Sequence, residues 1–413
     1  MIINKETLEF NRNIFQKNFI RKFFETESSS GILLVIFSIL AIILSNSDLS
    51  SYYYSLKDSS LAINIDSFQI NKSVNHWVND GLMSIFFLVI GLELKREMIN
   101  GNLSNLSSVM LPGFAAIGGM AIPALIYIII NKNHPSVLSG WAIPTATDIA
   151  FSLAVLSILG NRIPVGLKIF LLSLAIIDDL GAVLVIALYY TSEISYIYLI
   201  YALGVFAALI ILNYFNVRIV SIYLFFGLFI WYFILKSGVH ATIAGVVLAA
   251  TIPFSVKKSS HSPLRYLEEK LHSFSGFIVL PIFAFFNADI NVNSISFTAL
   301  SNNVPLGIML GLLLGKPIGI TLLAYLSIKF KLANFPSNVT MYDILGVSFL
   351  CGIGFTMSIF IDTLAFPGVY ETNQFGIQYS KSGIFFGSIL SGIIGYIILK
   401  IRLSKDECYE CKE

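Results

Sequence analysis

The chain has 413 residues, of which 56% are hydrophobic and only 12% are charged; its net charge is +2 and its mean hydropathy is +0.80. Soluble domains carry about 25% charged residues, so this composition excludes an ordinary soluble protein. Apolar runs long enough to cross a bilayer recur along the chain, which predicts an all-α polytopic membrane protein with no cofactor and no nucleic-acid partner. About twelve transmembrane helices are predicted, in chain order at 31–46, 80–94, 108–131, 138–159, 166–191, 195–215, 219–235, 238–254, 274–288, 305–328, 342–362 and 382–401.

The basic residues predict the orientation of these helices. If the N-terminus is cytoplasmic, twenty of the 26 Lys and Arg residues fall in inside segments, Lys316 lies within a span, and five fall outside, namely Lys57, Lys72, Lys132, Lys236 and Lys381. Cytoplasmic loops carry the excess of basic residues in membrane proteins. The predicted organisation is therefore a cytoplasmic segment 1–30, a transmembrane domain 31–402 with an outer hairpin loop at 47–79, and a cytoplasmic tail 403–413. The first run is as short as a signal-peptide core, but no small-residue cleavage site follows it, which favours an uncleaved helix.

Four charges lie near the middle of predicted spans: Asp148, Asp178, Asp179 and Lys316. Each costs about 2.5–3.5 kcal/mol at the bilayer centre on insertion scales, and folding does not require them. Intramembrane ionisable residues usually face a cavity or one another and mark a proton or ion path. This pattern predicts a transporter of small cations.

Two of the spans contain breaks. Pro144 interrupts the run that leads to Asp148, and Gly352 and Gly354 loosen a second run. Each is the middle helix of a set of three, at 108–191 and 305–402, and the two sets begin on opposite faces of the membrane. This arrangement is typical of inverted-topology repeats, in which broken helices offer backbone groups to an ion. Two ordinary kinked helices are the alternative interpretation.

The acidic residues suit proton and sodium chemistry. Neighbouring helical residues differ by about 100° in direction, so Asp178 and Asp179 cannot point at the same spot, and Asp148 is a candidate second carboxylate. Hard cations prefer oxygen ligands, and Thr147 can supply a hydroxyl. Lys316 is expected to pair with one of the carboxylates or to be neutral. A carboxylate cannot hold a proton and Na⁺ together, so one site can exchange the two by competition.

Seven segments resemble the NhaA-type sodium/proton antiporter family, which is itself an example of the inverted-repeat principle. They are HWVNDGLMSIFFLVIGLELKRE (76–97), IPTATDIAFSL (143–153), LAIIDDLGAVLVIAL (174–188), GVHATIAGV (238–246), PIFAFFNA (281–288), GKPIGI (315–320) and CGIGFTMSIFI (351–361).

The resemblance implies a role for each matched residue. Asp178 and Asp179 would be the pair that binds the metal ion, and Asp148 and Lys316 would balance the charge of two broken helices that cross at mid-membrane. It also implies electrogenic exchange, lithium as a second substrate, and a bacterial inner-membrane location with both termini cytoplasmic. The residues that match the pH-response region are Glu93, Arg96, Glu97, Glu268 and His272; Glu269 stands where a family histidine is expected. The segment 47–79 resembles a homodimer contact.

Other functions are weighed against this one. An intramembrane aspartyl protease would need a GxGD-type segment, but Phe355 stands at that position, and adjacent aspartates cannot jointly hold a catalytic water. A passive channel does not need competing carboxylates. A proton-coupled carrier of another small substrate is the closer alternative, although no Arg lies at mid-depth to bind an organic anion. Cys408 and Cys411 form a lone CxxC, which is a weak signal for metal or redox chemistry.

Overall fold

A computed structural model of the chain describes residues 28–65, 68–191, 194–254, 262–292, 295–367 and 376–410. Within these residues nine helices are long and apolar enough to cross a membrane, and two bent helix pairs raise the number to eleven. The predicted all-α polytopic fold is confirmed. The predicted span at 238–254 is instead a loop followed by the nine-residue helix Ile243–Thr251, too short to cross a bilayer by itself.

The long helices are α1 (Ser28–Ser45), α3 (Val74–Asn100), α4 (Leu106–Asn131), α6 (Val165–Tyr189), α7 (Tyr196–Tyr214), α8 (Val220–Ser237), α10 (Pro263–Asn287), α12 (Asn303–Lys329) and α15 (Ser380–Glu410). The shorter elements are α2 (Ser50–Asp58), the antiparallel strands β1 (Ser60–Ile65) and β2 (Phe68–Ser73), α5 (Ile149–Ile158), α9 (Ile243–Thr251), α11 (Phe297–Leu300), α13 (Met341–Leu350) and α14 (Phe355–Ala365).

The two predicted breaks are present. A 3₁₀ segment, Pro135–Thr145, precedes α5 at an angle of 43°, and α13 precedes α14 at 51°. Pro144 accounts for the first break because it lacks a backbone donor and cannot sit inside an α-helix without strain. At the second break, Gly352 and Gly354 leave the chain without side chains where it contacts α12 and α15: a Cβ on Gly352 would lie 2.5 Å from the carbonyl oxygen of Leu312.

Small residues bring α4 and α12 into backbone contact. A Cβ on Gly118 would lie 2.1 Å from the carbonyl oxygen of Gly319, and a Cβ on Gly319 would lie 2.0 Å from that of Gly118. Gly315 likewise approaches the backbone of Pro123 on α4, and Gly311 approaches the ring of Pro144 on the 3₁₀ segment. Such a stripe permits the close helix packing that membrane helices use in place of a hydrophobic driving force.

In the part of the chain that the structure describes, three helices contain a widened π-helical turn: Trp77–Leu82 in α3, Ser275–Val279 in α10 and Gly311–Gly315 in α12. Such turns insert one residue into an α-helix and are frequent at functional sites. The third turn ends immediately before Lys316.

The β1–β2 hairpin marks one face of the molecule, which we call the hairpin face. A cluster on this face joins α2, the turn after α10 and the start of α15: Asp289 accepts from Lys57 at 2.7 Å and from Lys381 at 2.5 Å. We call this group the Asp289 clamp. Asn46 adds bonds to the backbone of Ile290 and Val292, so the hairpin segment is anchored to the helical body.

Candidate cation-binding site

The two breaks cross and are joined by hydrogen bonds. The Asp148 amide donates to the carbonyl of Ile353 at 2.6 Å, and the Thr147 hydroxyl donates to the carbonyl of Cys351 at 2.9 Å. Ser152 donates to the carbonyl of Leu350 at 2.8 Å. Polar backbone groups that each break exposes are therefore satisfied by the other, as an apolar environment requires.

Asp148 lies at the centre of this crossing and is 1% exposed. Its Oδ1 accepts from the amide of Phe151 at 3.1 Å, and its Oδ2 accepts from the amide of Thr356 at 2.9 Å and from the Thr356 hydroxyl. Helix N-termini carry partial positive charge. One carboxylate thus caps α5 and α14 together, and its oxygens are already engaged by protein donors.

Lys316 and Asp178 form a buried ion pair. The Lys316 ammonium lies 2.6 Å from Asp178 Oδ2 and 2.9 Å from the Thr147 hydroxyl. The Lys316 and Asp178 side chains are 0% and 1% exposed. Sequence reasoning left the lysine's partner open, and the structure places it on α6. Thr147, between the ammonium and Cys351, links this pair to the crossing.

The Asp179 carboxylate has different surroundings from that of Asp178. It is 1% exposed, and neither of its carboxylate oxygens has a hydrogen-bond partner in the part of the chain that the structure describes. Asp178 Oδ1 likewise has none. An unsatisfied buried polar atom costs about 1–3 kcal/mol, and more when it is charged. Three carboxylate oxygens are therefore available to bind a proton or a hard cation.

The donor set suits sodium as a substrate. Hard cations take carboxylate, carbonyl and hydroxyl oxygens, and the two carboxylates lie one residue apart on α6. Among the described residues there is no group of three or more His, Cys, Asp or Glu side chains arranged so that it could hold a resident metal ion.

A second charged cluster joins α3 to α10 and contains the residues matched to the pH-response region. The Arg96 guanidinium contacts Glu268 Oε1 at 2.7 Å and Glu97 Oε1 at 2.5 Å, and lies 3.8 Å from Glu93 Oε1. Glu93 and Glu268 both interact electrostatically with His272. These five residues form one group, although they come from two separate segments of sequence.

Sequence reasoning did not consider Asp362 as an intramembrane acid. Asp362 on α14 is fully buried, at 0% exposure, yet it was treated as the last residue of an apolar run rather than as a charge within it. The signal was present, because a carboxylate in such a run is costly wherever it lies within the hydrocarbon. Cys411, and with it the CxxC, lies outside the described residues.

The chain matches the family model described as Na⁺/H⁺ antiporter 1 over residues 21–399. It belongs to the Na⁺/H⁺ antiporter 1 family. Relatives named Na(+)/H(+) antiporter NhaA occur in Shewanella pealeana, 50% identical over 92% of this chain and 96% of the relative, and in Vibrio vulnificus, 47% identical over 94% and 96%. A third, in Tolumonas auensis, is 47% identical over 92% and 94%.

Membership of the Na⁺/H⁺ antiporter 1 family confirms the resemblance inferred from the sequence. The members compared here are transporters rather than enzymes, and all three come from bacteria. Together with the apolar helices, this identifies the chain as a multi-pass membrane transporter.

Proposed function

We propose that this chain is a secondary active antiporter that exports Na⁺ in exchange for external H⁺ at Asp178 and Asp179. The observation that carries the proposal is Asp179, a buried carboxylate without a hydrogen-bond partner in the described structure, beside the crossing of two broken helices. The names of the relatives support the same substrates.

The geometry suggests how the two ions compete. With Lys316 paired to Asp178, Asp179 is the member of the aspartate pair that has no salt-bridge partner among the described residues. One proton or one Na⁺ neutralises it, and the two cannot occupy the same oxygens together. Asp178 can add its Oδ1 as a ligand while Oδ2 still contacts the lysine. Thr147 would be a neutral ligand, and Asp148 and Lys316 would balance the charges at the crossing.

We extend the proposal to finer properties. Transport of Li⁺ follows from the same hard oxygen ligands. Electrogenic exchange requires a second proton per Na⁺, which the Asp178–Lys316 pair would supply if it titrates during the cycle. The Arg96 cluster would provide the pH response. The protein would form a homodimer through the hairpin in the bacterial inner membrane, with both termini cytoplasmic.

The test is sodium-dependent proton movement in proteoliposomes that contain an internal pH dye. We expect a Na⁺ pulse to drive protons across the membrane in the opposite direction, and Li⁺ to do the same. Asp179→Asn should abolish the signal, because an amide neither titrates nor neutralises the ion. Proton movement that Na⁺ leaves unchanged but a small organic solute drives would favour a proton-coupled carrier of another substrate.

A further inference from the structure

Asp362 lies on the hairpin side of the crossing. It is six residues beyond Thr356, which bonds to Asp148 at the break. At 1.5 Å per residue this is about 9 Å along α14, in the direction of the hairpin face. The residue is fully buried and is not part of the Asp178/Asp179 site.

Two hydrogen bonds bracket Asp362 and join α14 to the 3₁₀ segment. The Ser358 hydroxyl donates to the carbonyl of Ile143 at 2.7 Å, and the Ser139 hydroxyl donates to the carbonyl of Ala365 at 3.0 Å. Residues four before and three after a helical position share its face. Asp362 is therefore on the stripe of α14 that packs against the 3₁₀ segment.

Two tyrosines from other parts of the chain lie against the 3₁₀ segment and act on Asp362. Tyr127 on α4 and Tyr190 after α6 both interact electrostatically with Asp362, and their hydroxyls donate to the carbonyls of Val137 and Ser139 on the 3₁₀ segment, at 2.8 and 2.5 Å. The sequence of the 3₁₀ segment contains no titratable side chain. These two phenols are therefore titratable groups that act on Asp362 from the side of the 3₁₀ segment.

The contact between α14, the 3₁₀ segment and Tyr127 on α4, which we call the junction, is closed in this structure. A Cβ on Gly140 would lie 2.4 Å from the Tyr127 hydroxyl and 2.8 Å from the ring of Phe366. A neutral small residue at position 362 would fill the same space without the free-energy cost of an intramembrane charge, so packing does not require an aspartate here. An acid that is cut off from solvent here exchanges its proton only when the junction opens.

We propose that Asp362 is a second proton-binding carboxyl of the exchange pathway, on the hairpin side of the Asp178/Asp179 pair. The carboxylate takes one proton from solvent on the hairpin face when the junction opens, retains it as a carboxylic acid when the junction closes, and passes it toward the pair. This inference rests on the proposed sodium/proton exchange.

The experiment measures sodium-driven exchange in right-side-out and everted membrane vesicles while the pH on one side is varied and the other side is fixed. For wild type we expect to measure, for each side, the pH at which the rate of exchange is half-maximal; we call this the half-maximal pH. Asp362→Asn should lower the hairpin-side value by about one unit or more, since at least tenfold more protons are needed when the collecting carboxyl is absent. The value for the other side should not change, and Asp362→Glu should resemble wild type.

Asp343→Asn is the matched control. Asp343 is also a buried carboxylate (2% exposed) of the same broken pair, but it caps the start of α13, at the far end of that pair from Asp362. The inference would be overturned if, on the hairpin side, Asp362→Asn had the same half-maximal pH as wild type and Asp343→Asn. It would also be overturned if Asp362→Asn shifted the half-maximal pH equally on both sides. Asp362→Ser gives the same comparison if the Asn variant does not fold. Wild-type vesicles without sodium-driven exchange would instead overturn the proposed function.

Discussion

At the scale of single residues, Asp178 and Asp179 are adjacent and equally buried but have different partners. Asp178 contacts Lys316, whereas Asp179 has no hydrogen-bond partner in the described part of the chain. Removing one member of a buried ion pair costs about 3–5 kcal/mol, because the other charge remains buried. Removing a buried charge that has no partner relieves a cost instead. The two positions are therefore distinguishable by stability even though both serve one site.

We predict that Asp178→Asn and Asp179→Asn both abolish exchange but change stability in opposite directions. Asp178→Asn should lower the melting temperature in detergent, and Asp179→Asn should leave it unchanged or raise it. Thermal unfolding followed by size-exclusion chromatography provides the measurement. Equal destabilisation by both variants would contradict the assignment of Lys316 to Asp178.

The sequence predicted which residues form the site but not how they pair. The 100° step between neighbours established that the two aspartates diverge. The choice of Asp178 as the lysine's partner depends on how α6 and α12 are oriented toward each other, and the π-turn before Lys316 changes that orientation. A local sequence pattern does not determine how two helices far apart in the sequence are oriented toward each other. Asp362 lies at the end of the predicted span 342–362, where an acid is as typical of a helix end near water as of a functional site.

At the scale of elements, the close backbone contact between α4 and α12 at Gly118 and Gly319 holds Lys316 in place. Gly319 is one turn beyond the lysine. We predict that Gly319→Ala separates the two helices, lowers stability by about 1–3 kcal/mol as overpacking does, and reduces exchange. Melting temperature and transport are the two measurements.

Gly204→Ala on α7 is the control for this variant, because a Cβ there has no neighbour within 4 Å. Alanine is favoured over glycine in helices by about 1 kcal/mol, so this change should be neutral or stabilising. A Gly319→Ala protein as stable and as active as Gly204→Ala would show that the close contact is dispensable.

The Asp289 clamp has a pH dependence that follows from its charges. Burial alone would raise the pKa of the Asp289 carboxyl, but the ammonium groups of Lys381 and Lys57 outweigh burial, and the pKa is lowered below its ordinary value. A carboxyl whose pKa is lowered on folding stabilises the protein above its ordinary pKa of about 3.9, and this stability is lost as the pH falls through the folded-state pKa.

We predict that Asp289→Asn lowers the melting temperature at pH 7, since hydrogen bonds to charged groups contribute about 1.5–3 kcal/mol each. The difference from wild type should shrink as the pH is taken below about 4. Asp48→Asn, at an exposed position, is the control and should have no effect. A difference that is constant with pH would mean that the carboxylate charge does not stabilise the clamp.

Elements were predicted with unequal success. Pro144, Gly352 and Gly354 predicted both broken helices, because each residue acts on its own backbone. The helix α10 begins before the predicted span at 274–288, since Pro263–Phe274 is helical as well. Glu268 in this segment contacts Arg96 on α3, and such tertiary support is not visible to a hydropathy criterion.

At the scale of the whole molecule, competition between ions is the property to measure. If protons and Na⁺ share Asp178 and Asp179, acidification on the protonated side of the site's pKa should raise the apparent sodium constant about tenfold per pH unit for one shared proton. Two coupled protons would make the rise steeper. The maximal rate at saturating Na⁺ should change much less.

Initial rates in proteoliposomes across a pH series give both quantities. If acid lowers the maximal rate while the sodium constant stays fixed, a separate gate controls transport, and the Arg96 cluster would be the place to look for it.

The π-turn at Gly311–Gly315 has a consequence for how the protein tolerates change in length. The direction of the Lys316 side chain depends on the number of residues before it in α12 as well as on its own identity. The wide turn holds one residue more than an α-helical turn of the same span, so a chain with one residue fewer here could continue as a regular α-helix with Lys316 still directed toward Asp178. The same deletion in a regular turn before the lysine would rotate the lysine and the residues after it by about 100° relative to the start of the helix. The ion pair with Asp178 therefore depends on where the helix loses a residue: a deletion at the wide turn should keep the pair, whereas a deletion in a regular turn before Lys316 should break it while leaving every functional amino acid in the sequence.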